Sequence, residues 1–204
     1  MFYDEAIEDY AYFSYKINEM YCEKYGIKLI LSKTKTYKNR HPAWERLPLI
    51  LKNLKNYDYL IWVDADAFFY YDSDNIIDII KENYSSNFIF SNDIKDKNIN
   101  TGFFIVKNTE YSFNFLNRWA FDENLYESNT MKYWWDQGVL IYIFENNILN
   151  IKENSITYDY GILQDFNFSE SKKKPFICHL AGKDKNTRVS IIKDYFKNIS
   201  EASF

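Results

Sequence analysis

The segment from Tyr59 to Phe69 constrains the fold of this chain more than any other. Its apolar part, Tyr59-Leu-Ile-Trp-Val63, ends abruptly in two carboxylates one residue apart, Asp64 and Asp66. Such a run predicts a strand covered on both faces, and in open α/β sheets ligands bind just beyond the carboxyl ends of such strands. Two carboxylates there can hold a divalent cation, or they can simply end the strand and solvate a turn.

Helix and strand patterns alternate along most of the chain. Apolar residues at helical spacing from Glu5 to Tyr25 stop at Gly26, which is a natural residue at a helix C-terminus. A strand is predicted over Ile27–Leu31, and a helix over Ala43–Leu54 precedes the acidic strand. The other predicted helices are 74–81, with Asp74 as its cap, 111–121, 133–144 and 189–199, and the other predicted strands are 87–91, 101–106 and 175–180. A less regular region extends from about 146 to 174.

This alternation favours one α/β domain over residues 1–204, with a mainly parallel mixed sheet flanked by helices. A chain of 204 residues is long enough to bury a core without disulfides. Aromatic residues make up 20% of it, with only 5 Gly and 3 Pro, which argues against a disordered chain.

Charge and cysteine content narrow the partners and the compartment. The net charge is −4 and the basic residues are scattered, which gives no basis for nucleic-acid binding. Cys22 and Cys178 are expected to be buried, reduced thiols. No apolar stretch reaches the roughly 20 residues of a membrane span, and the first residues do not resemble a signal peptide. We therefore expect a soluble, cytoplasmic chain unless an anchor has been removed, and oligomerisation stays open.

Four further segments place polar side chains at the ends of predicted elements. They are Arg46 on the helix before the acidic strand, Asn100-Thr-Gly102 at the entrance of a strand, Trp135-Asp-Gln137 at the start of an apolar helix, and His179-Leu-Ala-Gly-Lys-Asp-Lys185 at a strand end. Glycine at position 102 is expected to let a ligand come close to the backbone. Carboxylates and one imidazole suit a hard or borderline divalent cation, and cationic side chains suit a diphosphate. Sugar transfer from a nucleotide-sugar requires these groups, because a cation and lysines stabilise the charge that develops on the leaving diphosphate.

Five segments resemble, in their order and spacing, glycosyltransferase family 34, and they are also similar to the retaining transferases of family 8. The segments are Ala43-Trp-Glu-Arg-Leu-Pro48, Trp62-Val-Asp-Ala-Asp-Ala-Phe68, Asn100-Thr-Gly-Phe-Phe-Ile105, Trp135-Asp-Gln137 and His179-Leu-Ala-Gly182. The resemblance extends from about Ile17 to Lys185. It implies the GT-A fold and a retaining glycosyltransferase that uses Mn²⁺, or Mg²⁺, with a UDP-sugar donor and a glycan or glycoprotein acceptor.

The resemblance also implies roles for individual residues. Asp64 and Asp66 would be metal ligands, with His179 as the third protein ligand. Asp136 and Gln137 would line the reaction centre as the catalytic pair. Donor-binding residues would be Arg46, Asp64, Asn100, Gly102, Gly182 and a lysine that is either Lys183 or Lys185. Retention of configuration leaves two mechanisms open, with Asp136 as a nucleophile or with the leaving phosphate accepting the proton of the acceptor.

One departure from the family concerns the nucleotide. In such enzymes a first strand with nucleotide contacts precedes the opening helix, whereas here the helix pattern begins almost at Met1. Either the chain is truncated or the recognition of uridine is reduced or remade. Two other functions therefore stay open. One is an inactive GT-A-like carbohydrate-binding or scaffold protein, and the other is a phosphatase of the haloacid dehalogenase type. The phosphatase fits less well, since its motif continues with Thr or Val where this chain has Phe68.

Overall fold

Helices and strands alternate along the chain in the computed structural model, which describes residues 1–94, 98–129, 135–168 and 175–202. Within these residues the α-helices α1 to α7 are Glu8–Tyr25, Arg46–Leu54, Ile76–Glu82, Glu110–Phe121, Glu123–Asn129, Trp135–Glu145 and Lys185–Ala202. The strands β1 to β7 are Tyr59–Val63, Ala67–Phe69, Phe88–Asn92, Ile99–Lys107, Ser155–Tyr158, Gln164–Asp165 and Ile177–His179. Short 3₁₀ turns at Glu5–Ile7 and Pro42–Glu45 lead into α1 and α2.

The strands form a larger sheet in the order β1-β4-β3-β5 and a smaller sheet in the order β2-β7-β6. Strand β4 is antiparallel to both β1 and β3, and β2 is antiparallel to β7. Only the pairs β3–β5 and β6–β7 are parallel among the described strands. The prediction of a mixed sheet flanked by helices is confirmed, but a mainly parallel sheet is wrong. The reason is the connection between β3 and β4, which is too short for a helical crossover, so that β4 enters the sheet reversed.

Two local predictions also need correction. Asn75, not Asp74, caps α3, because its side-chain oxygen accepts a hydrogen bond of 3.1 Å from the backbone N–H of Ile77. Residues 27–31 are not a strand, since the only bridge beside them joins Phe2 to Ser32 within the described residues. A groove of about 520 Å³ separates residues 26–30 from β1, so these residues have no neighbouring strand along their length.

The chain leaves the larger sheet at the acidic residues. The backbone N–H of Ala67 donates a hydrogen bond of 3.1 Å to the carbonyl of Asp64 and closes a turn. Strand β2, which the sequence analysis did not predict, then joins the smaller sheet. Asp64 and Asp66 therefore lie on a turn that connects the two sheets.

Helices pack against both sheets and bury three apolar clusters. Helices α2, α4 and α6 cover one face of the larger sheet around Trp62, Phe88, Phe104 and Trp119. Helices α1 and α7 cover the smaller sheet around Phe68, Cys178, Leu180 and Ile192, and a third cluster with residues of both sheets includes Val63, Phe69, Phe103 and Ile177. Cys22 and Cys178 are buried free thiols, as predicted. No helix in the described ranges combines the length and the apolar character needed to cross a bilayer.

Candidate functional site

The three residues predicted as metal ligands meet where the two sheets join. Asp64 and Asp66 lie on the turn after β1, and His179 ends β7, where it stands opposite Ala67 of β2. One ligand atom from each of Asp64, Asp66 and His179 lies within 4.8 Å of the other two. Segments more than a hundred residues apart in the sequence thus converge on one point.

This donor set fits a divalent cation. Carboxylate oxygens and imidazole nitrogens bind such ions at roughly 2.0–2.2 Å, so that two ligands of one ion lie at most about 4.4 Å apart. A shift of a few tenths of an ångström would bring the three side chains within that limit. Two oxygens and one nitrogen favour a hard or borderline ion over a soft one.

Arg46 holds the first of these carboxylates. It is only 4% exposed and lies in the first turn of α2. Its Nη2 is 3.3 Å from Asp64 Oδ2, while its Nη1 donates to the carbonyl of Thr101. The indole Nε1 of Trp62 donates a second hydrogen bond, of 2.6 Å, to Asp64. These donors fix the side chain of Asp64 beside the first residues of β4.

Asp136 is a second carboxylate next to Arg46. It is 1% exposed, and its Oδ2 lies 3.1 Å from Nε of Arg46. That N–H donates instead to the carbonyl of Ala43, at 2.9 Å, and Oδ2 of Asp136 accepts no hydrogen bond from the described residues. Burial raises the pKa of Asp136 to about 7, against the opposing charge of Arg46. A buried carboxylate oxygen that accepts no hydrogen bond from the described residues therefore lies beside Arg46, which also contacts Asp64.

We expect Asp136 to make the stability of the metal-free protein depend on pH. Because its folded pKa is about 7 and its ordinary value is 3.8, the folded state binds more protons between these values than the unfolded state does. Stability should therefore fall as pH rises from 4 to 7, by on the order of 3–4 kcal/mol, and then level off. Urea unfolding of wild type and Asp136→Asn in a chelator should show that the variant lacks this component. If the stability of wild type and of Asp136→Asn changed equally between pH 4 and pH 7, the pKa of Asp136 would not be raised.

Gln137, predicted beside Asp136 at the reaction centre, is engaged with the backbone. Its Oε1 accepts hydrogen bonds from the backbone N–H of Thr101, at 3.0 Å, and from the Thr101 hydroxyl, at 3.3 Å. Gln137 therefore ties the start of α6 to β4.

His179 is buried against β4, and Gly102 makes room for it. A Cβ atom built on Gly102 would lie 2.5 Å from Nδ1 of His179 and closer still to Cε1. The ring also packs edge-on against Phe166, with centroids 5.4 Å apart. A close approach was predicted at Gly102 for a ligand, and in the structure it is the imidazole of His179 that approaches.

The lysines predicted to bind the donor lie apart from these ligands. Gly182 is in a turn after β7, with a φ of 70° that favours glycine. Nζ of Lys183 donates to Asn167, at 2.9 Å, and Nζ of Lys185 lies 3.0 Å from Asp9. Neither ammonium group contacts Asp64 or Asp66 in the contacts of the described residues.

The cationic side chain that contacts Asp66 is Arg188, not one of these lysines. Its Nη2 is 2.8 Å from Oδ2 of Asp66, and its Nε donates to the carbonyl of Leu180, at 3.2 Å. Burial opposes ionisation of Asp66, but the hydrogen bond and charge of His179 and the charge of Arg188 outweigh it and hold the pKa of Asp66 below its ordinary value. Arg188 was not among the predicted site residues because the predicted helix began at Val189. Helix α7 begins at Lys185, which places Arg188 one turn inside it.

Solved glycosyltransferases share this fold. The chain superposes with a TM-score of 0.72 and 15% identity on a glycosyltransferase involved in the glycosylation of the major capsid of PBCV-1, over 90% of this chain and 92% of that one. For GlyE of Streptococcus pneumoniae TIGR4 the TM-score is 0.58 at 14% identity, over 96% and 59% of the two chains. For the galactosyltransferase LgtC, solved with donor and acceptor sugar analogues, the TM-score is 0.55 at 11% identity, over 97% of this chain and 94% of that one. These likenesses confirm the predicted GT-A fold.

Sequence comparison gives a relative and a family. The chain is 28% identical over 111 residues to xyloglucan 6-xylosyltransferase 1 of Arabidopsis thaliana. The matched region covers 49% of this chain but only 24% of that protein. The predicted resemblance to glycosyltransferases is thus confirmed, and the chain spans about a quarter of that relative. The family model described as "Protein of unknown function, DUF273" matches residues 18–158, well over half of the chain, and the chain belongs to this family.

Proposed function

We propose that this protein is a metal-dependent, retaining glycosyltransferase that moves a sugar from a UDP-sugar to a hydroxyl of a glycan or glycoprotein. The observation that carries the proposal is the cluster of Asp64, Asp66 and His179, which lies at a sheet junction of a fold shared with glycosyltransferases. Two carboxylates and one imidazole suit Mn²⁺ or Mg²⁺ as ligands.

In this proposal the charged side chains around the cluster have separate roles. Asp64, Asp66 and His179 hold the cation, which when bound neutralises charge on the diphosphate of the donor. Arg46 keeps Asp64 in place and balances the charge of Asp136. Asn100, Gly102 and Gly182 line the donor pocket, whereas Lys183 and Lys185 stay predictions as donor-binding residues.

Asp136 is the residue we assign to the reaction centre. Its buried Oδ2 accepts no hydrogen bond from the described residues, so a lone pair is available to a hydroxyl or to the anomeric carbon of a bound sugar. As a nucleophile, the carboxylate would form a bond to the anomeric carbon while the bond to the leaving phosphate breaks. In the other mechanism the leaving phosphate takes the proton of the acceptor and Asp136 only stabilises positive charge on the sugar. Gln137 acts by fixing the start of α6.

Donor consumption tests the proposed function. The protein would be incubated with Mn²⁺, a panel of UDP- and GDP-sugars, and oligosaccharide acceptors that include xyloglucan fragments, since the plant relative is named for xyloglucan. We expect a nucleoside diphosphate and an extended acceptor, both lost in EDTA. Hydrolysis of generic phosphate esters without donor consumption would favour a phosphatase. Binding of glycans without binding of any donor would favour an inactive carbohydrate-binding protein.

Arg188→Met is expected to change the affinity for Mn²⁺ and the affinity for UDP in opposite directions. In the metal-free protein the guanidinium competes for Asp66, so that its removal should tighten binding of Mn²⁺ alone about threefold to tenfold, as expected for loss of one partly exposed ion pair. In the presence of Mn²⁺ the same guanidinium is free to contact the diphosphate. UDP should therefore bind the variant roughly tenfold more weakly, because a charge-assisted hydrogen bond is lost.

Calorimetric titration of both ligands checks this pair of effects. Arg118→Met is the matched control, since Arg118 forms an exposed ion pair with Asp122 on α4. Unchanged affinities in Arg188→Met, or a loss of Mn²⁺ affinity, would show that Arg188 does not compete with the metal.

A further inference from the structure

A continuous chain of buried hydrogen bonds connects β4 to His179. The backbone N–H of Gly102 donates to Oδ1 of Asn100, at 2.9 Å, and Nε2 of Gln164 donates to the same oxygen, at 3.2 Å. Oε1 of Gln164 lies 3.3 Å from Nδ1 of His179. Asn100, Gln164 and His179 are each at most 4% exposed, so water does not compete for these groups.

The direction of this chain is fixed at its backbone end. A backbone N–H can only donate, so the atom of Asn100 that faces Gly102 must be its oxygen. The group of Gln164 that faces this oxygen must then be its NH₂, which leaves Oε1 of Gln164 facing the imidazole. Since Oε1 can only accept, Nδ1 of His179 must carry the hydrogen. Nε2 is then the nitrogen that faces Asp66 Oδ1, at 3.5 Å, and a cation bound between them takes the place of any hydrogen on Nε2.

We infer that Gln164 is a positioning residue that holds a hydrogen of the His179 imidazole on Nδ1, so that Nε2 is the nitrogen directed at Asp64 and Asp66 and available to a cation. Metal-bound histidines commonly donate their second N–H to an acceptor that sets the ring orientation. An amide does this without adding a third negative charge beside two carboxylates. The tautomer is a property of the metal-free protein, whereas its use in metal binding rests on the proposed function.

Nuclear magnetic resonance of the imidazole nitrogens reads the tautomer directly. The chain has 2 His, so His41→Gln leaves a single imidazole to observe. The measurement belongs at pH 8, well above the ordinary imidazole pKa of about 6.5, and without metal. In that background we expect a protonated Nδ1. An unprotonated Nδ1 would overturn the inference, and this result needs no further variant.

Gln164→Met then separates positioning from simple packing, because methionine keeps the length of the side chain but cannot accept from Nδ1. We expect the signal to move toward the Nε2–H tautomer, in which Nε2 donates to Asp66, and the affinity for Mn²⁺ to fall about tenfold. Asn83→Leu is the control, since it removes a buried amide that bonds Tyr158 and has no contact with His179. It should leave the tautomer unchanged.

The outcomes also separate this inference from the proposed function. An Nδ1–H tautomer that survives in Gln164→Met, together with unchanged Mn²⁺ affinity, would overturn the role of Gln164 while the metal site stands. The expected tautomer shift in a protein that binds Mn²⁺ but no nucleotide would support the role of Gln164 and contradict the transferase.

Discussion

Asp66→Asn is expected to lower the affinity for Mn²⁺ by at least ~100-fold and to abolish sugar transfer. The amide keeps the shape of the side chain but removes the negative charge of the ligand that both His179 and Arg188 contact. Loss of a residue that hydrogen-bonds a metal ligand already costs roughly 10–100-fold in metal affinity, and loss of a charged ligand should cost more. Calorimetric titration with Mn²⁺ measures the first effect and donor consumption the second.

Asp78→Asn is the matched control for this substitution. Asp78 is exposed and pairs with Lys81 on the surface of α3, so that the same chemical change should leave both readouts as in wild type. Urea unfolding of both variants would show that the fold is retained. Wild-type affinity for Mn²⁺ in Asp66→Asn would remove Asp66 from the metal site.

Gly102→Ala should have the second largest effect, on stability and on metal binding together. The new Cβ would lie 2.5 Å from Nδ1 of a buried ring that is held by Gln164 and packed against Phe166. Overpacking of this kind costs about 1–3 kcal/mol and sometimes more. Any movement that relieves the clash displaces the ring from its present position beside Asp66 and Gln164, so that Mn²⁺ affinity should fall about tenfold or more.

Gly161→Ala provides the comparison for Gly102→Ala. A Cβ on Gly161 has no atom within 4 Å, but its φ of 85° disfavours alanine. This variant should lose roughly 1–2 kcal/mol of stability from backbone strain alone and bind Mn²⁺ normally. If Gly102→Ala matched Gly161→Ala in both measurements, the close contact between Gly102 and His179 would not exist as described.

The three residues of the cluster, Asp64, Asp66 and His179, could be proposed from the sequence because each carries a local signal. Asp64 and Asp66 interrupt an apolar run, and His179 ends another, so that strand ends could be located without knowing which strands are neighbours. The donor-side glycine was also predictable as a site of close approach. That the approaching group is His179, and not a ligand, depends on the pairing of β7 with β2, which no local pattern encodes.

Hydrophobic periodicity could predict neither the direction of β4 nor the residues that contact the metal-site cluster, Gln164 and Arg188. Alternating elements favoured a parallel sheet, but the direction of β4 is set by a short connection and by its two partners. Gln164 lies in a strand of two residues, too short for any period, and it acts through contacts with residues distant in the sequence. Arg188 was missed because the start of α7 was placed four residues too late.

Titration of UDP into the wild-type protein, with Mn²⁺ and with EDTA, is the decisive test of a metal-dependent donor site. We expect UDP to bind measurably only when Mn²⁺ is present, and each ligand to tighten the other by the same factor, since coupling between two bound ligands is reciprocal. Asp66→Asn should remove this coupling. Equal binding of UDP with Mn²⁺ and with EDTA, or no binding under either condition, would contradict such a site.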